Sequence, residues 1–302
     1  MAAPGETDIF HHVRDATYFH LPFDTHIPLP HIFGFQLTKY MVLQLVAGFF
    51  VLFVFRGLSR RIAAGGPPEG PWWNFWETLA LYIRDNVVRP TIGVPHDDHG
   101  HGAHGHDDHG HDGHGHAHGA GAASTPGHPA DRFLPYVWTC FFYVLICNLL
   151  GAFPWLGSPT SEINVTGALA GVTVIAVMFY GMRRSGVGGF WLSLAPSMDL
   201  SPVMKVILVP VIWLIELVGF VIKHGVLAIR LFANMMGGHT VIAVIMLFIA
   251  ETANSWLYLI VLPSSIFGQI FVGTLELLFA FVQAYIFAFL ATLFIGMAVN
   301  PH

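Results

Sequence analysis

The chain has 302 residues, of which 54% are hydrophobic and only 10% charged, less than half the roughly 25% usual in a soluble domain. Its formal charge of −5 comes from five aspartates between His96 and His118; elsewhere 13 acidic residues match 13 basic ones. That balance excludes a basic nucleic-acid surface, and several apolar windows exceed the ~18 residues that mark a membrane helix, so a polytopic membrane protein is expected.

Residues 1–35 form an acidic segment with no basic region leading into an apolar core, so no cleaved signal peptide is expected there. The next unit, 36–95, opens with a span from Gln36 to Phe55, stopped by Arg56, Arg60 and Arg61. After the linker "AAGGPPEGP" comes "WWNFWETLALYIRDNVVRP". There Trp72, Trp76, Leu79, Ile83 and Val87 recur at helical spacing, opposite Glu77, Arg84 and Asp85. Such a moment, with its tryptophans, predicts an amphipathic helix lying in the interface.

Residues 96–130 are an insertion rich in His, Gly and Asp, with ten histidines between His96 and His118. A tract without apolar periodicity is expected to be disordered and solvated, able to bind zinc, nickel or copper weakly. It raises the alternative of a transition-metal transporter. Such a protein needs paired ligands four apart on a membrane helix, whereas Ala228 stands four beyond His224 and Ala280 four beyond Glu276.

The last unit, 131–302, starts with a hairpin: one span from Phe133 to Phe153, the turn "PWLGSPTSEIN", and another span from Val165 to Met182. Cys140 and Cys147 lie on one face but about 10 Å apart along the axis, too far to bridge. Arg56, Arg60, Arg61, Arg132, Arg183 and Arg184 all fall on the inner side if the N-terminus lies outside.

From Val203 to Ala250 the sequence is almost continuously apolar for 48 residues. One helix of that length extends about 72 Å against a hydrocarbon core of about 30 Å. Either it breaks, at Pro210 or Gly237–Gly238, or it lies unusually flat. A second long stretch runs from Ile266 to Val299.

These two stretches hold Glu216, Lys223, His224, Arg230, Asn234, His239, Glu276 and Gln283. Ionisable groups within a membrane mark ion or substrate paths by default, and interhelical hydrogen bonding is the plainer role. Lys223 and His224 suit the plainer role, by snorkelling. Arg230 costs about 2.5–3.5 kcal/mol at a bilayer centre and has no acidic residue within two turns. Glu216, fourteen residues earlier, shares its face about 21 Å away, and Asn234 is one turn on. Glu276 and Gln283 lie within about 20° of each other, while His239 points about 180° from Arg230 on a straight helix.

"IRLFANMMGGH" (Ile229 to His239), followed by "ELLFAFVQAYIF" (Glu276 to Phe287), resembles subunit a of the F-type ATP synthase, as do "DIFHHV" and "LYIRDNV". The resemblance implies an all-α membrane protein. A first transmembrane helix, an interfacial helix and a transmembrane hairpin would precede two long, strongly tilted helices against a rotor ring. It implies that Arg230 is the stator arginine facing the c-ring carboxylate. Asn234, His239, Glu276 and Gln283 would then line or border the proton half-channel, with Glu216 at an acidic position of the same long helix.

The implied partners are c-ring proteolipids, peripheral-stalk b subunits, the soluble ATPase sector and membrane lipid, in a bacterial inner membrane. No cofactor is expected, and without a G-x-x-x-x-G-K-[ST] loop the ATP chemistry falls to partners. The chain departs from the family at His224-Gly225-Val226-Leu227, where Pro and Ser are common. His239 and Glu276 stand where some members carry Glu and His.

Overall fold

The computed structural model describes residues 18–21, 25–32, 35–63, 70–92, 128–153, 157–193 and 202–299. The membrane-crossing elements are all helical, as expected, and the N-terminal segment before them carries short strands. β1 (Tyr18–Leu21) pairs antiparallel with β2 (Thr25–Pro28), and β3 (His31–Ile32) with β4 (Phe35–Gln36). Aromatic and β-branched residues at Tyr18, Phe19, Thr25 and Ile27 favour extended backbone over helix.

The other described elements are helical, and five are long and apolar enough to cross a membrane. α1 (Lys39–Ala63) runs eight residues beyond the stop expected at Phe55. Arg60 and Arg61 close its last turn, where cations complement the helix dipole and so prolong the helix. α2 (Pro71–Ile83) starts with proline at its first position after Gly70, whose φ of 109° suits only glycine. It continues through a π-helical turn, Arg84–Val88, into the short α3 (Arg89–Ile92). Of the expected apolar stripe, Trp76, Ile83 and Val87 are buried and Leu79 is half-buried, while Trp72 stays exposed. Ala80 is buried in addition, and its carbonyl accepts a hydrogen bond from the Trp138 indole at 2.9 Å.

A 3₁₀ turn, Pro129–Phe133, leads into α4 (Leu134–Gly151), and a second, Pro159–Ser161, leads towards α5 (Ile163–Ser185). The short α6 (Val187–Ser193) follows Gly186, whose φ is +76°. α4 is the central helix, with Val137, Val144, Leu145 and Cys147 fully buried among side chains of α1, α7 and α8. Both cysteines are free thiols in that core, in keeping with their spacing.

α7 (Pro202–Thr252) and α8 (Tyr258–Val299) are single helices of 51 and 42 residues. Neither Pro210 nor the Gly237–Gly238 pair breaks α7, and α8 begins before Pro263. Proline removes one backbone hydrogen bond, whereas ending a helix in hydrocarbon would strip several, so the helix carries through. At 1.5 Å per residue the two extend about 76 and 63 Å.

The residues on either side of the histidine tract are clasped together. Arg89 forks onto both carboxylate oxygens of Asp131, at 3.2 Å each, and reaches Asp85 at 3.3 Å. Arg84 bonds Asp85 at 2.9 Å and holds that carboxyl below its ordinary value. Asp131 in turn raises the Arg89 guanidinium above its own. Residues 93–127, and with them the tract, lie outside the described residues. Because the clasp is built from Arg84, Asp85, Arg89 and Asp131, all outside the deleted stretch, deleting Asp97 to Gly119 should leave proton-driven ATP synthesis in membrane vesicles nearly unchanged. A large loss of coupling would show that the insertion takes part in transport.

Candidate functional site

α7 and α8 pack side by side, and at Gly238 a side chain of α8 lies directly against the α7 backbone. A Cβ placed on Gly238 would collide with the Glu276 carboxylate, so only a hydrogen at that position lets the acid lie against the α7 backbone. The next residue, His239, then meets it: Nδ1 lies 3.1 Å from Oε1 of Glu276. The two side chains are only 13% and 12% exposed. With Nδ1 protonated, the imidazole donates to the carboxylate, leaving Nε2 and Oε2 for further partners.

A cleft of about 330 Å³ opens beside the pair, lined by Asn234, Gly237 and Gly238 of α7 and Glu276 of α8. At about 30 Å³ per molecule it has room for roughly ten waters. Its two polar side chains sit in an otherwise apolar wall, with Met235, Val241, Val272, Leu275 and Phe279 making up most of the rest.

Asn234, His239 and Glu276 therefore come together, and the other expected site residues are distributed around them. Gln283 is 5% exposed, does not line the cleft, and leaves its Nε2 without an acceptor. Arg230 is exposed and pairs with no described carboxylate. Because α7 is unbroken, His239 keeps its offset from Arg230: one faces α8 while the other is exposed. Glu216 forms an exposed ion pair with Lys223 at 3.3 Å.

His224 does not snorkel. It is buried, with Nδ1 at 2.8 Å from the Phe220 carbonyl and its ring between those of Phe220 and Phe294. No group of three His, Cys, Asp or Glu among the described residues is arranged to hold a metal ion.

Behind α8 lies a buried polar cluster that spacing alone does not single out. Asn148 of α4 donates to the Ala280 carbonyl at 3.5 Å and accepts from the Thr160 hydroxyl at 2.8 Å. Thr160 meets Ser158 at 2.6 Å, and Ser161 donates to Tyr40 of α1 at 3.2 Å. The signal for it is the hydroxyl content of "GSPTS", which also reads as ordinary turn chemistry.

A sequence profile of the ATP synthase A chain matches residues 120–296. ATP synthase subunit a of Chloroherpeton thalassium is 33% identical, the alignment covering 98% of this chain and 78% of the relative. ATP synthase subunit a 2 of Chlorobaculum tepidum is 32% identical over 98% of this chain and 73% of its own. A relative from Anaeromyxobacter dehalogenans strain 2CP-1, also an ATP synthase subunit a, reaches 39% over 57% of this chain and 43% of its own. With the profile spanning more than half of the sequence and relatives aligned along nearly all of it, the chain belongs to the ATP synthase subunit a family, the proton-translocating membrane sector of that complex rather than an enzyme by itself.

Proposed function

We propose that this protein is the stator channel of a bacterial inner-membrane ATP synthase, with its N-terminus outside, carrying protons to and from the carboxylates of a c-ring through two offset half-channels. The observation that carries the reading is the His239–Glu276 pair, placed across two over-long helices beside a cleft with Asn234. Peripheral-stalk b subunits and the soluble ATPase sector complete the assembly, and α7 and α8 lie strongly tilted against the ring.

A ring carboxylate facing lipid stays protonated, because desolvation disfavours its charged form. Opposite a guanidinium the ionised form is favoured, so the proton leaves there. Arg230 suits that role: it is exposed on α7, unpaired within the described chain, and always charged. It also repels any cation that would pass directly from one half-channel to the other. On the outer side, the cleft delivers a proton to Glu276, which hands it on towards the ring, with His239 holding the carboxylate in place and Asn234 orienting water. Gln283 continues this path along α8, and Glu216, held by Lys223, borders the inner exit.

The test is passive proton conductance through vesicle-bound complex stripped of its soluble sector. Glu276→Gln, which cannot release a proton, should lower conductance about tenfold or more, the equivalent of at least ~1.4 kcal/mol in the barrier. Gly238→Ala should lower it less, by displacing the carboxylate from His239. Undiminished conductance with Glu276→Gln would remove Glu276 from the path.

A further inference from the structure

The arginine-bearing ends of α1 and α5 and the 3₁₀ turn that leads into α4 are joined by contacts along one rim. Trp73 of α2 lies so close to Gly57 of α1 that a Cβ there would collide with its indole. The Trp138 indole ties α4 to α2, and Phe133 at the start of α4 stacks edge-on against Tyr180 near the end of α5, with ring centres 4.9 Å apart. Most cations on this rim are engaged by neighbours. Arg84 and Arg89 pair with Asp85 and Asp131, Arg132 lies over Phe133, and Arg183 over Phe179.

The corner between α1 and α2 is different. Arg56, Arg60 and Arg61 are exposed, and none pairs with a described carboxylate. Arg61 is held in place, its guanidinium 4.7 Å from the centre of the Trp73 ring, whose other neighbour is Phe53. A guanidinium held over an indole ring by its carbon still has N–H donors that can fork onto an oxyanion. Arg56 and Arg60 are one turn apart, and the stripe they continue is apolar: Phe49 and Phe53 precede them at spacings of seven and three from Arg56 and are 72% and 63% exposed. The same face thus reads apolar, apolar, cation, cation, which is the order of a phospholipid from acyl chain to phosphate. Helix-dipole compensation accounts for Arg60 and Arg61 in the last turn of α1 and inner-side charge accounts for Arg56, but neither accounts for Arg61 being held over Trp73.

We propose that this corner binds the headgroup of an anionic phospholipid, with the phosphate on Arg56, Arg60 and Arg61 and the acyl chains along Phe49, Leu52 and Phe53. Its affinity for charge is independent of the proton path, so the readout is lipid labelling and not ATP synthesis. The complete complex is reconstituted with photoactivatable phosphatidylglycerol or phosphatidylcholine, and cross-links are mapped to peptides. Phosphatidylglycerol should label the α1–α2 corner about tenfold more than phosphatidylcholine. The double variant Arg56→Gln/Arg60→Gln should lose that preference, while Arg183→Gln/Arg184→Gln keeps it. Arg56→Lys/Arg60→Lys, which preserves charge and helix, should retain most of the labelling. Equal labelling by both lipids, an unchanged glutamine variant, a lysine variant as poor as the glutamine one, or full displacement by inorganic phosphate would each overturn the site.

Discussion

Arg230→Ala should abolish proton-driven ATP synthesis, by about a hundredfold or more, while the complex still assembles. A factor of that size is about 2.7 kcal/mol of barrier, modest for a full charge acting across a low-dielectric contact. Assembly should survive because Arg230 is exposed and bonded to no described residue, so its removal leaves no buried partner stranded. Insertion of α7 should even become easier, by about 2.5–3.5 kcal/mol on translocon-based scales. Arg230→Lys should be partly defective, since an ammonium facing a low-dielectric contact can lose its proton and with it the barrier to direct leakage. The measurements are ATP synthesis in vesicles under an imposed proton gradient, and passive leak in the same vesicles. Near-normal synthesis with Arg230→Ala would end the assignment.

Exchanging His239 and Glu276 should restore what either single change destroys. His239→Glu sets two carboxylates against each other and Glu276→His two imidazoles, in a slot where each side chain is about seven-eighths buried. Removing one partner from such a pair is destabilising by about 3–5 kcal/mol, because the other is left buried and uncompensated. The double exchange keeps one acid and one base in contact, and Gly238 still provides the space against α7. Proton pumping driven by ATP should therefore be several-fold greater in the double variant than in either single one. The two side chains share one buried contact, which is why the singles are not additive. If the double variant is as poor as the worse single, Glu276 works with another group, such as Gln283, whose buried amide already lacks an acceptor.

Reading the site from the sequence succeeds or fails by how far apart the interacting residues are. The apolar stretches around Arg230 and Glu276 have a length and a set of polar side chains that no ordinary span needs, and both are visible in a linear string. The nine-residue offset that turns His239 away from Arg230 is legible too, because it depends only on helix pitch within one segment. His224 reads as a snorkelling residue because its polar ring could reach an interface; its burial depends on Phe294, seventy residues away.

What the sequence by itself determined, then, are properties summed over neighbours: the membrane class, the approximate spans, the family, and the candidate polar residues. The extension of α1 past Phe55, the passage of α7 through Pro210 and Gly237–Gly238, and the strands at 18–36 were decided by competition between local breakers and backbone hydrogen bonding. Only the tertiary structure decided that His239 meets Glu276 over Gly238 and that Asn148 bonds Thr160. Each such contact depends on the register and packing distance of two segments. A hydrogen bond tolerates a few tenths of an ångström, while a one-residue shift along a helix moves a side chain by 1.5 Å and 100°.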